Sequence, residues 1–366
     1  MSYDIAIIGA GIAGAGLGWA LRRQAPGLRI VLIEQEDRPG YHTTGRSAAF
    51  WVGSYGGPGV VPLTLASRGF FDAPPPGFGD RPLLTHRPSL VIAPPDDPAA
   101  LDAEAAEYDA SRLPYDRLDA AALAASPAGP MLRPAWRTRA ISENDCFDID
   151  VAALHQGYLR GAEVITGAMV DRIERRGDAW HVTTRAGPVV AATIVNAAGA
   201  WADAVAAMAG ACPRGLVPYR RTMAVLEIDP PPPADLPVVM DAAGRFYFKP
   251  DGGRLWLSPH DEIPDVAHDV RPEDIDIARV IDLFEQVSTA RVVRLTASWA
   301  GLRTFAPDRL PVFGWDGAVA GLFWCAGQGG FGIQTAPAAS ALCAALLLGQ
   351  PPAIDPMAYL ATRFLD

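Results

Sequence analysis

The chain opens on a strand–glycine–helix unit, Tyr3-Asp4-Ile5-Ala6-Ile7-Ile8-Gly9-Ala10-Gly11-Ile12-Ala13-Gly14. The run Ile5 to Ile8 predicts a buried parallel strand, because a strand covered on both faces is continuously apolar rather than alternating. It leads into Gly9-x-Gly11-x-x-Gly14, and a helical pattern continues to about Arg23. In such a unit Gly9 permits the tight turn, Gly11 lets backbone approach a pyrophosphate, and Gly14 lets helix and strand pack closely. The helix N-terminus offers N–H groups and a positive dipole end to phosphates. Ala25-Pro26-Gly27 stops the helix, and a second strand, Arg29 to Ile33, ends at Glu34, twenty residues after Gly14. An acid there accepts the ribose hydroxyls of an adenosine dinucleotide and repels a 2′-phosphate, which argues against NADP. A glycine-rich packing turn is the competing explanation, but it leaves Glu34 at the end of an apolar strand unexplained.

Two later stretches repeat the strand–small-residue–helix form. Ile194-Val195-Asn196-Ala197-Ala198-Gly199-Ala200-Trp201 brings small residues to a strand end. Leu322 to Ala326 enters Gly327-Gln328-Gly329-Gly330-Phe331-Gly332-Ile333-Gln334-Thr335 before a long apolar helix. One glycine loop holds a diphosphate; further loops of this kind point to a cofactor with a second end to hold, and so to FAD over NAD. A donor-rich helix N-terminus suits the anionic reduced flavin. Between these units lie the antiparallel-strand signals of Leu216 to Ser258 and helix signals over 60–71, 98–112, 119–125, 148–161 and 272–288, with Asp148 or Asp150 capping the fourth. Leu83 to Ala93 is strand-like but interrupted at Arg87-Pro88-Ser89. The polar loop Tyr41 to Ala49 leads toward a helix start with Thr44 or Ser47 as cap.

The 366 residues, half of them apolar, suffice for one large or two intertwined domains. A net charge of −10 argues against nucleic acid and anionic membranes as partners. No apolar run reaches membrane-spanning length uninterrupted. The four cysteines lack metal spacing, and Cys212, Cys325 and Cys343 are expected to be buried thiols of a reducing compartment. A strand starting at Tyr3 leaves no room for a signal peptide, so the expected location is cytoplasmic.

Gly40-Tyr41-His42-Thr43-Thr44-Gly45-Arg46-Ser47-Ala48-Ala49, Leu154 to Gly161, Asn196 to Trp201, Phe246-Tyr247-Phe248-Lys249-Pro250, Trp299-Ala300-Gly301-Leu302-Arg303 and Gln328 to Thr335 together resemble the D-amino acid oxidase superfamily of flavoproteins. Within it the chain is similar to the D-arginine dehydrogenase type over nearly its whole length. The resemblance implies an α/β fold: a Rossmann-like, glutathione-reductase-type FAD domain from 1–85, 145–215 and 295–366, and an antiparallel-sheet substrate domain from 86–144 and 216–294. It implies noncovalent FAD held by Gly9, Gly11, Ile12, Ala13, Gly14, Glu34, Gln35, Thr43, Thr44, Gly45, Arg46, Ser47, Ala48, Val170, Ala198, Gly199, Trp201, Gly301, Arg303, Gly329, Gly330, Phe331, Gly332, Ile333 and Gln334. It implies oxidation of the Cα–N bond of a free D-amino acid, with Arg221, Tyr247 and Arg303 on the carboxylate, the Gly330 carbonyl on the amine, and Tyr55 lining the pocket. An arginine matches a carboxylate bidentately, and fixing carboxylate and amine sets Cα against the flavin. Without the resemblance, Arg221 reads first as a surface charge or ion-pair residue, Arg303 as a structural salt bridge, and Arg46 as a surface charge.

Two departures bear on substrate. Arginine-selective relatives carry a glutamate where this chain has Ser89, and a histidine where it has Phe50. Neither residue here supplies the counter-charge for a guanidinium, so a neutral or apolar side chain is expected. Arg245, in the lid region, is expected to face solvent. The position that carries a linking cysteine in sarcosine-oxidase relatives falls near Thr304 and Phe305, without a cysteine. Two alternatives remain open: a glycine- or sarcosine-type amine oxidase using O₂, and a redox-silent FAD-binding partner module. The electron acceptor is a quinone or O₂, which a stopped-flow trace of reduced flavin with each would separate; anaerobic bleaching by a D-amino acid would eliminate the silent module.

Overall fold

The strand Ser2–Ile8 lies inside an eight-stranded sheet, which is why Ile5 to Ile8 carry no alternation. It pairs in parallel with Gly187–Asn196 on one side and Ile30–Ile33 on the other. Gly187–Asn196 pairs in parallel with Leu322–Ala326 at its far end. Ile8 stands opposite Asn196, and Asn196 opposite Trp324. Three strands separated by most of the chain therefore end side by side, each running into a glycine-containing turn. The carboxyl edge of a parallel sheet, where such loops converge, is where ligands bind in open α/β folds. The computed structural model describes residues 2–365.

Helices Ile12–Gln24 and Gly332–Leu347 cover one face, burying Ile5, Ile7, Leu17, Leu21, Leu342 and Cys343 together. The alternate residues Ala6, Ile8, Val31 and Ile33 turn to the other face, against Trp180, Val205 and Trp324. On that side Arg214 and Asp316 form a fully enclosed ion pair at 2.6 Å, with the Trp324 indole N–H donating to the same carboxylate oxygen at 3.0 Å.

The second sheet has nine strands. Its spine is the antiparallel pair Val217–Asp229 and Arg291–Phe305, running from Val217 opposite Phe305 to Asp229 opposite Arg291 with register shifts at Val225/Leu226 and Glu227/Ile228. Helix Asp274–Val287 covers one face and buries Phe246, Phe248, Leu255, Leu257 and Phe284. Strand alternation sends Tyr247, between the two phenylalanines, to the opposite face. A three-stranded sheet of Phe50–Trp51, Leu84–His86 and Phe147–Ile149 completes the architecture.

Several sequence expectations change. Leu83 to Ala93 is two strands, Leu84–His86 and Ser89–Ile92, in different sheets, split where Arg87-Pro88 interrupts. Tyr41 to Ala49 forms only a short 3₁₀ turn, Thr43–Arg46, and the next α-helix begins at Val61. Thr44 does cap a helix, but the first one: its hydroxyl accepts the N–H of Ile12 at 2.9 Å. Asp150 caps Val151–Leu159, while Asp148 lies in a strand and pairs with Arg87 and Lys249. Cys212, in an irregular segment, is exposed, whereas Cys146, Cys325 and Cys343 are buried.

Candidate active site

Gly9 begins the site. Its φ of 104° is open to glycine alone at little cost, and an added Cβ would collide with the Ala197 carbonyl. A Cβ on Gly11 would stand 3.1 Å from the Thr44 hydroxyl. The strand end at 8–9 and the turn at 197–199 are thus in backbone contact, leaving a cavity of about 180 Å³ that Gly9, Glu34, Gln35, Val170, Ala198 and Trp201 line with Gly11 and Gly199. Glu34 is buried there, accepting the N–H of Ala10 and of Glu36, each at 3.1 Å. Burial pushes its carboxyl pKa up, against the pull of those two N–H groups.

A second space, about 120 Å³, continues from Gly11, Thr43 and Thr44 toward the second sheet. Ile12, Ala13, Ser47, Ala48, Gly301, Gly329, Gly332 and Ile333 line it. Other residues assigned to the cofactor stand elsewhere. Gly14 and Gly45 make backbone packing contacts against Gly9 and Gly40. Phe331 and Gln334 face the neighbouring, larger cavity. Arg46 borders the channel, but its guanidinium is held by Asp269 at 2.5 Å and by the Val270 and Ala300 carbonyls. The surface-charge alternative for Arg46 describes these contacts better than a role in holding the cofactor does.

The larger cavity measures about 720 Å³. Arg221, Tyr247, Arg303 and Gly330 line both it and the channel, as do Ser47, Ala48 and Ile333, so together they form the partition between them. The strand pair of the second sheet positions the two arginines, with Tyr219 opposite Arg303 and Arg221 opposite Gly301. Arg303 Nη1 donates to Tyr55 Oη at 2.8 Å. Arg221 donates from Nε to the Asp261 carbonyl at 2.7 Å and from Nη2 to Glu262 at 3.3 Å. Its Nη1, like the Tyr247 hydroxyl, is buried with no hydrogen-bond partner among the described residues. A Cβ on Gly330 would lie 2.5 Å from Tyr55 Oη and 2.9 Å from Arg303 Nη1, so the glycine loop passes directly against this cluster.

Burial lowers the Arg221 pKa, and the nearby Arg303 lowers it further, although a guanidinium keeps its charge in a protein. Burial opposes the charge on Arg303 too, but Tyr55, Tyr247 and Glu262 more than offset that. His260 also lines the cavity; burial, then Arg221 and Arg303, push its pKa down to about 3, which leaves the ring neutral. Unpaired buried donors beside two cations suit an anion with several acceptor lone pairs.

Phe50 is on the cavity wall, with the Lys249 ammonium 4.9 Å from its ring centroid. Ser89 is not. It is fully buried in the second sheet, paired with Val238 and Glu143, and the same strand face reaches the cavity at Val91 instead. Arg245 is bound to Asp241 at 2.5 Å and Asp96 at 2.8 Å rather than free in solvent. Sequence reasoning missed His260, Glu104, Glu107 and Tyr108, all cavity-lining. The last three share one helix face, a spacing visible in the sequence; His260 stands in an irregular segment without a motif.

The sequence pattern of the DAO family, described as FAD dependent oxidoreductase, matches residues 4–346. The chain belongs to that family. FAD is therefore its cofactor, and the glycine turns at Gly9, Gly11 and Gly329, where any Cβ would press on neighbouring atoms, fit a cradle that takes backbone contact along its length. The chain is similar to the hydrogen cyanide synthase subunit HcnC of Pseudomonas aeruginosa, 25% identical over 99% of this chain and 96% of the relative. Glycine oxidase of the same organism is 27% identical over 56% of this chain and 51% of its own length. Among solved structures, glycine oxidase from Geobacillus kaustophilus superposes with a TM-score of 0.84 at 23% identity over 99% of both chains. L-proline dehydrogenase from P. horikoshii gives 0.82 at 18% identity, over 98% of this chain and 96% of that one. These neighbours share the fold. Among the described residues no helix is long and apolar enough to cross a membrane.

Proposed function

We propose that this oxidoreductase acts on the Cα–N bond of a free D-amino acid with a neutral or apolar side chain. The product imine hydrolyses to a 2-oxo acid and ammonia. The observation that carries the proposal is the pair of unpartnered buried donors, Arg221 Nη1 and Tyr247 Oη, beside Arg303 at the junction of channel and cavity. A substrate carboxylate satisfies them and neutralises the local excess of positive charge. Similarity to glycine oxidase supports amino-acid chemistry. The likeness of the sequence to D-arginine dehydrogenases supports the D configuration.

FAD, when bound in the channel, supplies the two-electron acceptor. The chain supplies placement. Arg303 and Arg221 hold the carboxylate, Tyr247 donates to it, and the Gly330 carbonyl accepts from the amino group. The side chain then extends into the outer cavity. Three substituents of Cα are fixed, so one enantiomer alone turns its Cα–H toward the channel. Phe50, Val91, Val238 and Met240 make much of the outer wall apolar, and the volume far exceeds what glycine fills, which favours a larger substrate over the glycine- or sarcosine-type alternative.

A basic side chain is the second reading, favoured by Glu104 and Glu107 on the same cavity. Burial raises the Glu104 pKa, with Glu107 and Glu143 adding to the shift, so its charge is the costlier to maintain and the apolar reading leads. An anaerobic panel scored by flavin bleaching tests both. D-Leu, D-Met or D-Phe should reduce the flavin with higher kcat/KM than D-Arg or D-Lys. Preference for the basic pair would replace the first reading by the second, and failure of every D-amino acid would reject both.

A further inference from the structure

The loop that carries Tyr55 is held by two buried side chains from distant elements. Gln334, on the helix Gly332–Leu347, accepts the Val52 N–H and donates to the Tyr55 carbonyl, both at 3.3 Å. Glu143, at the end of strand Ala140–Glu143, accepts the Gly53 N–H on Oε1 at 2.9 Å and the Ser54 hydroxyl on Oε2 at 2.8 Å. Four consecutive residues are thereby fixed, and the fourth is the tyrosine whose hydroxyl takes the bond from Arg303. A Cβ at residue 53 would stand 2.9 Å from Glu143 Oε1, so the carboxylate approaches as closely as a glycine allows.

A carboxylate in this place is expensive. Glu143 is only 4% exposed and has no cationic partner among the described ion pairs. Burying an ionised group without a counter-charge is costly unless its oxygens are well supplied with donors. Packing alone would be served by an apolar residue. What a carboxyl adds is two acceptors on one rigid plane, here spent on a backbone N–H and a side-chain hydroxyl of adjacent loop residues.

We propose that Glu143 is a positioning residue for the carboxylate clamp: by holding Gly53 and Ser54 it sets Tyr55 Oη where it orients the Arg303 guanidinium. This rests on Arg303 being part of the clamp. Glu143 itself touches neither cavity nor channel. Its effect therefore has to pass through Tyr55, and a double-mutant cycle isolates that path.

The experiment titrates holoenzyme with sodium benzoate, a small aromatic carboxylate, and follows the flavin absorbance. Glu143→Ala should weaken benzoate by about tenfold at unchanged FAD content, and Glu143→Gln, which keeps an acceptor for the Gly53 N–H, should restore binding to within about threefold. In a Tyr55→Phe background Glu143→Ala should change the benzoate Kd by less than about twofold, because the link to Arg303 is already cut. An equal loss in both backgrounds would show a general packing role and overturn the proposal, as would a silent Glu143→Ala. Should that variant fail to yield folded holoenzyme, Ser54→Ala removes one of the two bonds and carries the test. It is expected to weaken benzoate in the parent but not in Tyr55→Phe, and no change in the parent would overturn the proposal. Arg303→Ala separates the two levels. Loss of benzoate there with no effect at Glu143 sinks the positioning role alone, whereas unaltered binding in Arg303→Ala removes the clamp on which it rests.

Discussion

Arg303→Ala addresses the centre of the proposed chemistry. One Nη1 bond goes to Tyr55 Oη at 2.8 Å, and the remaining face of the fork borders the junction of channel and cavity. Two charge-assisted bonds to a carboxylate at about 1.5–3 kcal/mol each give about 3–6 kcal/mol, or a loss of about 10²- to 10⁴-fold in kcat/KM. Arg221 remains, with its free Nη1, and keeps part of the carboxylate affinity, so the lower half of that range is expected. Arg303→Lys preserves the charge but replaces a planar fork by a point donor, and should fall between parent and alanine variant. Fold stability should change little: the substitution relieves the repulsion by which Arg303 depresses Arg221, and forfeits the favourable interactions of Arg303 with Tyr55, Tyr247 and Glu262. The assay is anaerobic stopped-flow reduction of the flavin by the best substrate of the panel, with FAD content and thermal midpoint measured on the same samples. A loss smaller than about tenfold at full FAD occupancy would refute the carboxylate role. A lowered midpoint would refute the electrostatic account of the pair.

Gly9→Ala should yield protein without FAD, because φ is 104° and the new Cβ meets the Ala197 carbonyl; the ratio of flavin to protein absorbance checks it. Arg214→Met should lower unfolding stability by about 3–5 kcal/mol in urea titration, since Asp316 is left enclosed without its cation. Ser89→Glu should not create a basic-substrate enzyme; it buries a second carboxylate opposite Glu143, and the expected result is loss of folded protein, several kcal/mol in size, rather than altered specificity in the substrate panel. His260 is held neutral in the fold down to about pH 3, while in the unfolded chain it protonates below its ordinary 6.5. Its depressed value therefore lowers stability as pH falls through 6.5, by at most about 1.4 kcal/mol per unit. His260→Asn, compatible with the positive φ there, should flatten the urea midpoint between pH 6.5 and 5 relative to the parent, and parallel curves would reject this.

The parallel sheet was legible because its determinants are local. Ile5 to Ile8, Gly9-x-Gly11-x-x-Gly14 and Glu34 encode strand, turn and strand end within one stretch, and the sheet forms as they predict. The loop Tyr41 to Ala49 was misjudged for the opposite reason. Thr44 has the chemistry of a helix cap, but the N–H it serves belongs to Ile12, and no reading of neighbouring residues contains that partner. Leu83 to Ala93 likewise looks like one interrupted strand until its halves join separate sheets. Pairing between distant segments is set by tertiary burial, which local pattern does not carry.

The same division runs through the site. Gly11, Glu34 and Gly329 are recognisable because backbone approach and a strand-end acid leave a signature in sequence. Arg221, Tyr247 and Arg303 came from resemblance, since an arginine in a strand is ordinarily an ion-pair residue; only the enclosed geometry reveals that Arg221 Nη1 and Tyr247 Oη lack partners. Specificity was the least legible. Its expectation depended on Phe50, which is on the wall, and on Ser89, one pleat repeat away from Val91, an offset along one strand that separates a wall residue from one enclosed in the sheet. The counter-charge question consequently moves to a different element. Glu104 and Glu107, on a helix that shows no catalytic motif, are carboxylates on the outer cavity outside the described ion pairs, whereas Asp241 and Glu262, which also line it, are bound to Arg245 and to Arg221 and Arg309. A cation there would be met by one partly buried carboxyl with a raised pKa and one exposed carboxylate screened by solvent. The apolar wall operates on every substrate that fills it. On the proposed amino-acid chemistry, the balance between those two contributions, rather than the residue at position 89, would set which side chains are accepted.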